Sequence, residues 1–183
     1  MAELLQNPKS MIKLQEELKG LLGTKTYVAE SDISQLPYLQ AVIKETLRFH
    51  PTVPIAFNKA EATVEIQGYK IPQGTTVYVN IWAICRRGKI WEDPDKFMPE
   101  RFLGRDINFQ GTNFEFIPFG AGRRICLGMP LAERMLHLML ASLLHRFEWT
   151  IPREVMGDGL DMAEKFGLVL SMAKPLRAVA KET

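Results

Sequence analysis

Phe119-Gly120-Ala121-Gly122-Arg123-Arg124-Ile125-Cys126-Leu127-Gly128 carries the densest local signal in this chain. Gly120, Gly122 and Gly128 permit tight or left-handed turns and the close approach of a bulky group. Pro130 suits the first turn of a helix, where a missing N–H is no loss. An apolar helix is expected from about Leu131 to Phe147, buried because it is apolar almost all round: Leu131, Met135, Leu136, Leu138, Met139, Leu143 and Leu144. The pattern therefore predicts a loop that presents Cys126 just ahead of a helix N-terminus. The partial positive charge there favours a thiolate, and Arg123 and Arg124 add full charges beside it. A thiolate held this way can be a nucleophile, a redox thiol or a metal ligand.

Phe119, Gly122, Arg124, Cys126 and Gly128 fall into the pattern F-x-x-G-x-R-x-C-x-G without a gap. This resembles the haem-binding signature of the cytochrome P-450 family. The resemblance implies that Cys126 is the proximal thiolate ligand of the iron in haem b (iron protoporphyrin IX), a ligand that pushes electron density to the metal and favours O–O cleavage. It implies that Phe119, Gly120, Gly122, Arg124, Cys126 and Gly128 form the cofactor-binding set. Arg124 would donate to a propionate, a task suited to the planar guanidinium, and Phe119 would pack near the sulfur. The implied fold is mainly α with a small antiparallel β-sheet, the C-terminal portion of the cytochrome P-450 fold, over residues 1–183.

The chain has 183 residues, 46% hydrophobic and 24% charged, an ordinary globular composition for one domain. A net charge of +2 is too small to suggest nucleic acid as a partner. Cys85 and Cys126 are the two cysteines, so a disulfide framework or zinc site is not expected. The first residues lack the basic region and apolar core of a signal peptide. His137 and His145 interrupt the longest apolar run, which falls short of a membrane span.

In chain order, a helix ends near Gln6 and Asn7-Pro8 breaks it. A second helix is expected over about Pro8 to Leu22, with Met11, Leu14, Leu18 and Leu21 or Leu22 as its apolar stripe and Gly20 and Gly23 at its end. A polar connector covers Thr24 to Gln35. A third helix follows from Ser34-Gln35-Leu36-Pro37, its core face Leu36, Leu39, Ile43 and Leu47. Glu45 and Arg48, three apart, share a face of it. The family carries E-x-x-R on a helix and P-E-R-F before the haem loop. The resemblance therefore implies one buried charge network of Glu45, Arg48 and Arg101, which locks the segment leading to the cysteine.

Prolines end the third helix after Phe49. His50 at that end is expected to bond terminal carbonyls rather than a metal. In the family the next segment passes over the haem, which makes Val53, Ile55, Ala56 and Phe57 the implied apolar lining of the substrate pocket. The family's usual Pro-Arg or Pro-His pair, a propionate anchor, is missing from Ile55-Ala56-Phe57-Asn58-Lys59, where Lys59 could substitute as a flexible point charge. Strands at Thr63–Ile66, Tyr69–Pro72 and Thr75–Asn80 are expected to form one small antiparallel sheet. A short helix at Ile81–Ile84 and a meander over Asp93–Asn113 follow. Past the long helix, a strand at Phe147–Ile151, a loop at Gly157–Glu164 and closing strands at Gly167–Ser171 and Leu176–Ala180 are expected.

The activity implied is that of a haem-thiolate monooxygenase, with electrons from NADPH-cytochrome P-450 reductase and a small apolar substrate. The segments Asp161–Gly167 and Pro175–Val179 resemble plant members that hydroxylate small terpenoids, geraniol hydroxylase among them. Only the C-terminal part of the family is matched: its N-terminal anchor and distal oxygen-site helix have no counterpart after Met1, so no catalytic residue is assigned. The full-length family sits on the endoplasmic reticulum membrane, and this chain, without that anchor, is expected to be cytoplasmic or membrane-associated. Two alternatives stand beside the enzyme: a truncated, inactive remnant, or a reductase-binding module using Lys89, Arg105, Arg123 and Arg124.

Overall fold

The computed structural model describes residues 1–156, 159–167 and 169–182. Asn7 separates helix α1 (Ala2–Gln6) from α2 (Pro8–Leu22) and holds the junction, its side-chain amide donating to the Glu3 carbonyl at 2.8 Å. Met11, Leu14, Leu18 and Leu22 recur at helical spacing and are buried. Gly20 lies inside α2, and Gly23, at φ +52°, ends it. Helix α3 (Pro37–Phe49) starts on a proline, so its first free N–H groups belong to Tyr38 and Leu39. Both donate to the Glu17 carboxylate of α2, at 2.7 and 2.9 Å, which satisfies donors a helix start leaves orphaned. The polar connector is more ordered than its composition predicts. Glu30–Gln35 forms a 3-10 turn, closed by Asp32 as it accepts the Ala29 N–H at 3.0 Å and Lys25 at 2.9 Å.

Helix α5 (Met129–Arg146) begins two residues earlier than expected. One stripe of it, Ala141 and Leu144, joins Leu4, Leu14, Leu18, Leu36, Leu39 and Val42 in the main core. The expectation of burial all round is wrong for this chain. Leu131 is 66% exposed, Met139 55% and Met135 46%. Within the chain α5 packs on α2, α3 and the Glu30–Gln35 turn, which cover one side only.

The strands between α3 and α4 (Ile81–Ile84) do not make one sheet. Gln67 and Gly68, both at positive φ, close a tight hairpin between β2 (Val64–Ile66) and β3 (Tyr69–Ile71). β4 (Thr76–Asn80) pairs instead with β1 (Ile55–Lys59), a strand whose unbroken apolar start gave no alternation to read. Toward the C-terminus, β5 (Phe147–Thr150) is followed by a short helix α6 (Arg153–Met156), and β6 (Glu164–Lys165) pairs β7 (Ser171–Met172). β8 (Val179–Glu182), later than the expected Leu176–Ala180, pairs β5. Gly157 and Asp158 of the expected loop, and Leu168 of the expected strand, lie outside the described residues.

His50 does not bond terminal carbonyls. Its ring lies between two carboxylates, Nε2 at 2.7 Å from Glu3 and Nδ1 at 2.6 Å from Glu164, tying α1, the end of α3 and β6 together. Burial of the ring pulls its pKa down, but the hydrogen bonds and charges of Glu3 and Glu164 outweigh this and raise it above the ordinary value. A raised pKa means the folded state holds the proton more tightly. The stabilisation is therefore complete below the unfolded value of about 6.5 and is lost as pH rises through the folded value. Buried His137, whose pKa burial lowers, acts on the other side, below about 6.5. Unfolding free energy measured in urea from pH 6 to 9 is expected to fall more steeply for the parent than for His50→Gln. Parallel profiles would exclude the clasp.

Candidate functional site

Gly120 and Gly122 take left-handed backbone, φ +78° and +65°, which side chains at these positions would strain. Between them the chain doubles back, and the Cys126 N–H donates to the Phe119 carbonyl at 2.9 Å. The Ile125 N–H closes a 3-10 turn on the Gly122 carbonyl at 3.2 Å, and the Met129 N–H reaches the Cys126 carbonyl at 3.2 Å. Cys126 thus sits in a loop, with Gly128 as the N-cap of α5. The thiol is free and exposed. Its Sγ lies 3.7 Å from where a Cβ on Gly128 would stand, so a longer side chain there would crowd the sulfur.

The loop rests on an aromatic cluster. Phe119 meets Phe109 edge-on at 5.6 Å, and Phe109 meets Phe116, which packs with Trp91 and Phe102. Gly111 is a supporting residue that sequence reasoning missed. A Cβ there would lie 2.7 Å from the Gly120 carbonyl oxygen and 2.9 Å from the Ala121 Cα. The loop backbone occupies the space a side chain would need. A lone Gln110-Gly111 in a polar meander offered no signal of that contact.

Glu45, Arg48 and Arg101 lie together. Arg48 grips Glu45 with two hydrogen bonds, Nε to Oε2 at 2.7 Å and Nη2 to Oε1 at 2.9 Å. Arg101 Nε donates to Glu45 Oε1 at 3.1 Å, as does the Met98 N–H at 2.8 Å. Further guanidinium donors go to main-chain carbonyls: Cys85, Pro94 and Lys96 for Arg48, and Glu92, Asp93 and Lys96 for Arg101. The side chains of Glu45 and Arg48 are completely buried and that of Arg101 is 5% exposed.

The four residues expected to line one pocket are divided by strand alternation. Ile55 and Phe57 share one face of β1, with Phe57 70% exposed. Ala56 turns the other way and packs on Ile81, Cys85 and Ile117. Val53 precedes the strand and is exposed. Of the basic set, Arg105 lies over the Trp91 ring at 5.4 Å. Arg123 and Arg124 are exposed and make no ion pair among the described residues. Arg124 borders a cleft of about 600 Å³, whose other walls come from Phe57–Glu61 and Gln73–Gly74.

Residues 1–177 match the family model described as Cytochrome P450. Cytochrome P450 76C2 of Arabidopsis thaliana is 54% identical over 98% of this chain and 35% of its own length. Carnosic acid synthase of Rosmarinus officinalis is 51% identical over 98% of the chain and 36% of its own. The chain therefore spans about a third of the length of the curated relatives it matches. A zebrafish cytochrome P450 solved with abiraterone superposes on all of the chain, and on 42% of its own length, with a TM-score of 0.89 and 34% identity.

Proposed function

The chain belongs to the cytochrome P-450 family, and from that premise we propose that it forms the haem-binding part of a monooxygenase that hydroxylates a small apolar substrate. The exposed thiol of Cys126 on its glycine-hinged loop is the observation that carries this reading. Among the described residues no three His, Cys, Asp or Glu side chains cluster to hold a bare metal ion. A single thiolate suits a metal whose other positions a macrocycle fills. The donor set fits haem b in three further respects. Gly128 leaves the sulfur uncrowded, Leu127 (97% exposed) and Leu131 offer apolar surface, and Arg124 offers an unpaired guanidinium for an acidic group.

Haem, when bound, supplies the iron at which dioxygen is activated. Cys126 would hold the iron through its thiolate. Phe119, wedged against Phe109, would limit water near the sulfur, and Arg124 would orient the ring through a propionate. The Glu45–Arg48–Arg101 network fixes the segment that leads into the aromatic support beneath the loop. Electrons would come from NADPH-cytochrome P-450 reductase, and the endoplasmic reticulum surface is the proposed setting. No helix among the described residues is long and apolar enough to cross a membrane. A relative named for making carnosic acid supports an apolar plant metabolite, such as a small terpenoid, as substrate.

The test is a chimera in which this chain replaces the matching segment of the Arabidopsis relative, at 54% identity. With haem, reductase and NADPH, oxygenated product is expected from substrates the relative accepts, and none from the Cys126→Ala chimera. A chimera that folds and holds haem but gives no product, beside an active parent, would overturn the assignment.

A further inference from the structure

Residues near the two ends of the chain line a cavity of about 330 Å³. Helices α1 and α3 form one wall, through Met1–Ala2 and Thr46, and the C-terminal segment forms the other, through Met162, Leu170, Met172 and Leu176. Both walls are held in place. Glu3 and Glu164 border the cavity and grip the His50 ring between them, at 2.7 and 2.6 Å, which joins α1 and α3 to β6. The Leu170 N–H donates to the Thr52 carbonyl at 2.7 Å, and the Ala173 N–H to the Ala163 carbonyl at 2.7 Å. The space is therefore built into the fold rather than opened by a ligand. None of its lining residues belongs to the cysteine loop, to α5 or to the four expected to line the substrate pocket.

The lining selects the ligand. Most of it is apolar, and the methionines add an unbranched, polarizable surface that adapts to irregular shapes. The volume lies at the small end of the range of about 300–1,000 Å³ that ligand sites occupy. The charges at its edge are spent on each other, because His50 lies between two carboxylates. An ionic ligand would lose its water there and gain no unspent partner. Thr46 supplies the polar contact. Its hydroxyl donates to the Val42 carbonyl at 2.8 Å, which leaves the oxygen lone pairs to accept. We infer that this cavity is a binding site for a compact, neutral, apolar molecule with one hydroxyl group, which donates to Thr46 Oγ1. The inference stands apart from the haem reading of Cys126, since the two share no residue.

The probe is the bridgehead alcohol of adamantane, a rigid cage that loses little conformational freedom on binding. It is titrated into the full chain with isotope-labelled methionine methyls and followed by NMR. Met162 and Met172, assigned through Met162→Leu and Met172→Leu, are expected to shift saturably, while Met135 and Met139 on the exposed side of α5 stay still. The matching carboxylate and the protonated amine should bind at least about ten-fold more weakly. Thr46→Val should weaken the alcohol about three- to ten-fold. Ala2→Phe and Leu176→Trp fill the space from opposite walls, and each should abolish the shifts; if neither folds, Thr46→Val decides. Unmoved Met162 and Met172, equal affinity for the alcohol and either ion, or parent affinity in Thr46→Val or in a filled variant that folds, overturns the inference. The titration is repeated on the Arabidopsis chimera. Shifts seen in the chain but lost in the chimera give the cavity to the segment ahead of Met1 and overturn the inference as well.

Discussion

Replacing Cys126 by alanine is expected to abolish the red-shifted Soret band of the reduced CO complex and to weaken haem binding by about 100-fold or more. That band requires a thiolate on the iron. Groups that merely orient a metal ligand already account for about 10- to 100-fold in affinity, so removal of the ligand itself should exceed that range. Cys85 supplies the control. It is buried beneath β1 and α4, and burial pushes its thiol up to about 11, so at neutral pH it stays protonated and out of reach. Cys85→Ala should therefore leave the band in place. The two thiols differ in access, which backbone geometry sets. Gly120 and Gly122 turn the chain back on itself, and the Cys126 N–H closes that turn on Phe119. The assignment fails if the band survives Cys126→Ala, or if it disappears with Cys85→Ala in a chain that still folds.

The cysteine loop was legible because its determinants are local. Three glycines and a proline within eleven residues dictate a turn followed by a helix, and Cys126 falls between them. Glu45 and Arg48 were legible for the same reason, as one helical turn brings them together. Arg101 is different: nothing in its spacing points to Glu45, and only the family resemblance joined the two. What escaped reading depends on distant backbone. Strand β4 could pair with β3 or β1, and alternation within β4 does not choose between them. His50 draws partners from Glu3 and Glu164, far away in the chain on either side. Gly111 matters because Gly120 and Ala121 lie on top of it. Helix α5 shows the limit of a composition argument. Apolar residues on every side state that a helix needs cover, but do not say that the cover is within the same chain.

Glu45→Ala is expected to destabilise the fold by about 3–5 kcal/mol, because the change strands two buried cations at once. Arg48 uses all five of its N–H donors: two on Glu45, and three on the carbonyls of Cys85, Pro94 and Lys96. Arg101 spends one donor on Glu45 and three on carbonyls of Glu92, Asp93 and Lys96. The group therefore holds two positive charges against one carboxylate, with oriented main-chain dipoles offsetting the difference. Without the carboxylate the two guanidiniums face each other with only carbonyls between them. The Met98 N–H also loses its acceptor. Glu45→Gln should cost nearly as much, because the amide keeps the shape but loses the charge and aims donors at donors. Arg48→Lys should fail too, since three donors on a flexible stem cannot replace a five-donor fork. Lys13–Glu100, with both side chains more than 40% exposed, is the contrasting pair, and Lys13→Met should change stability by less than about 1 kcal/mol. In urea, with a slope of about 2 kcal/mol per molar, Glu45→Ala should lower the unfolding midpoint by roughly 2 M. A shift no larger than that of Lys13→Met would mean that the main-chain carbonyls alone hold the two arginines, and that the carboxylate is dispensable to the segment leading to Cys126.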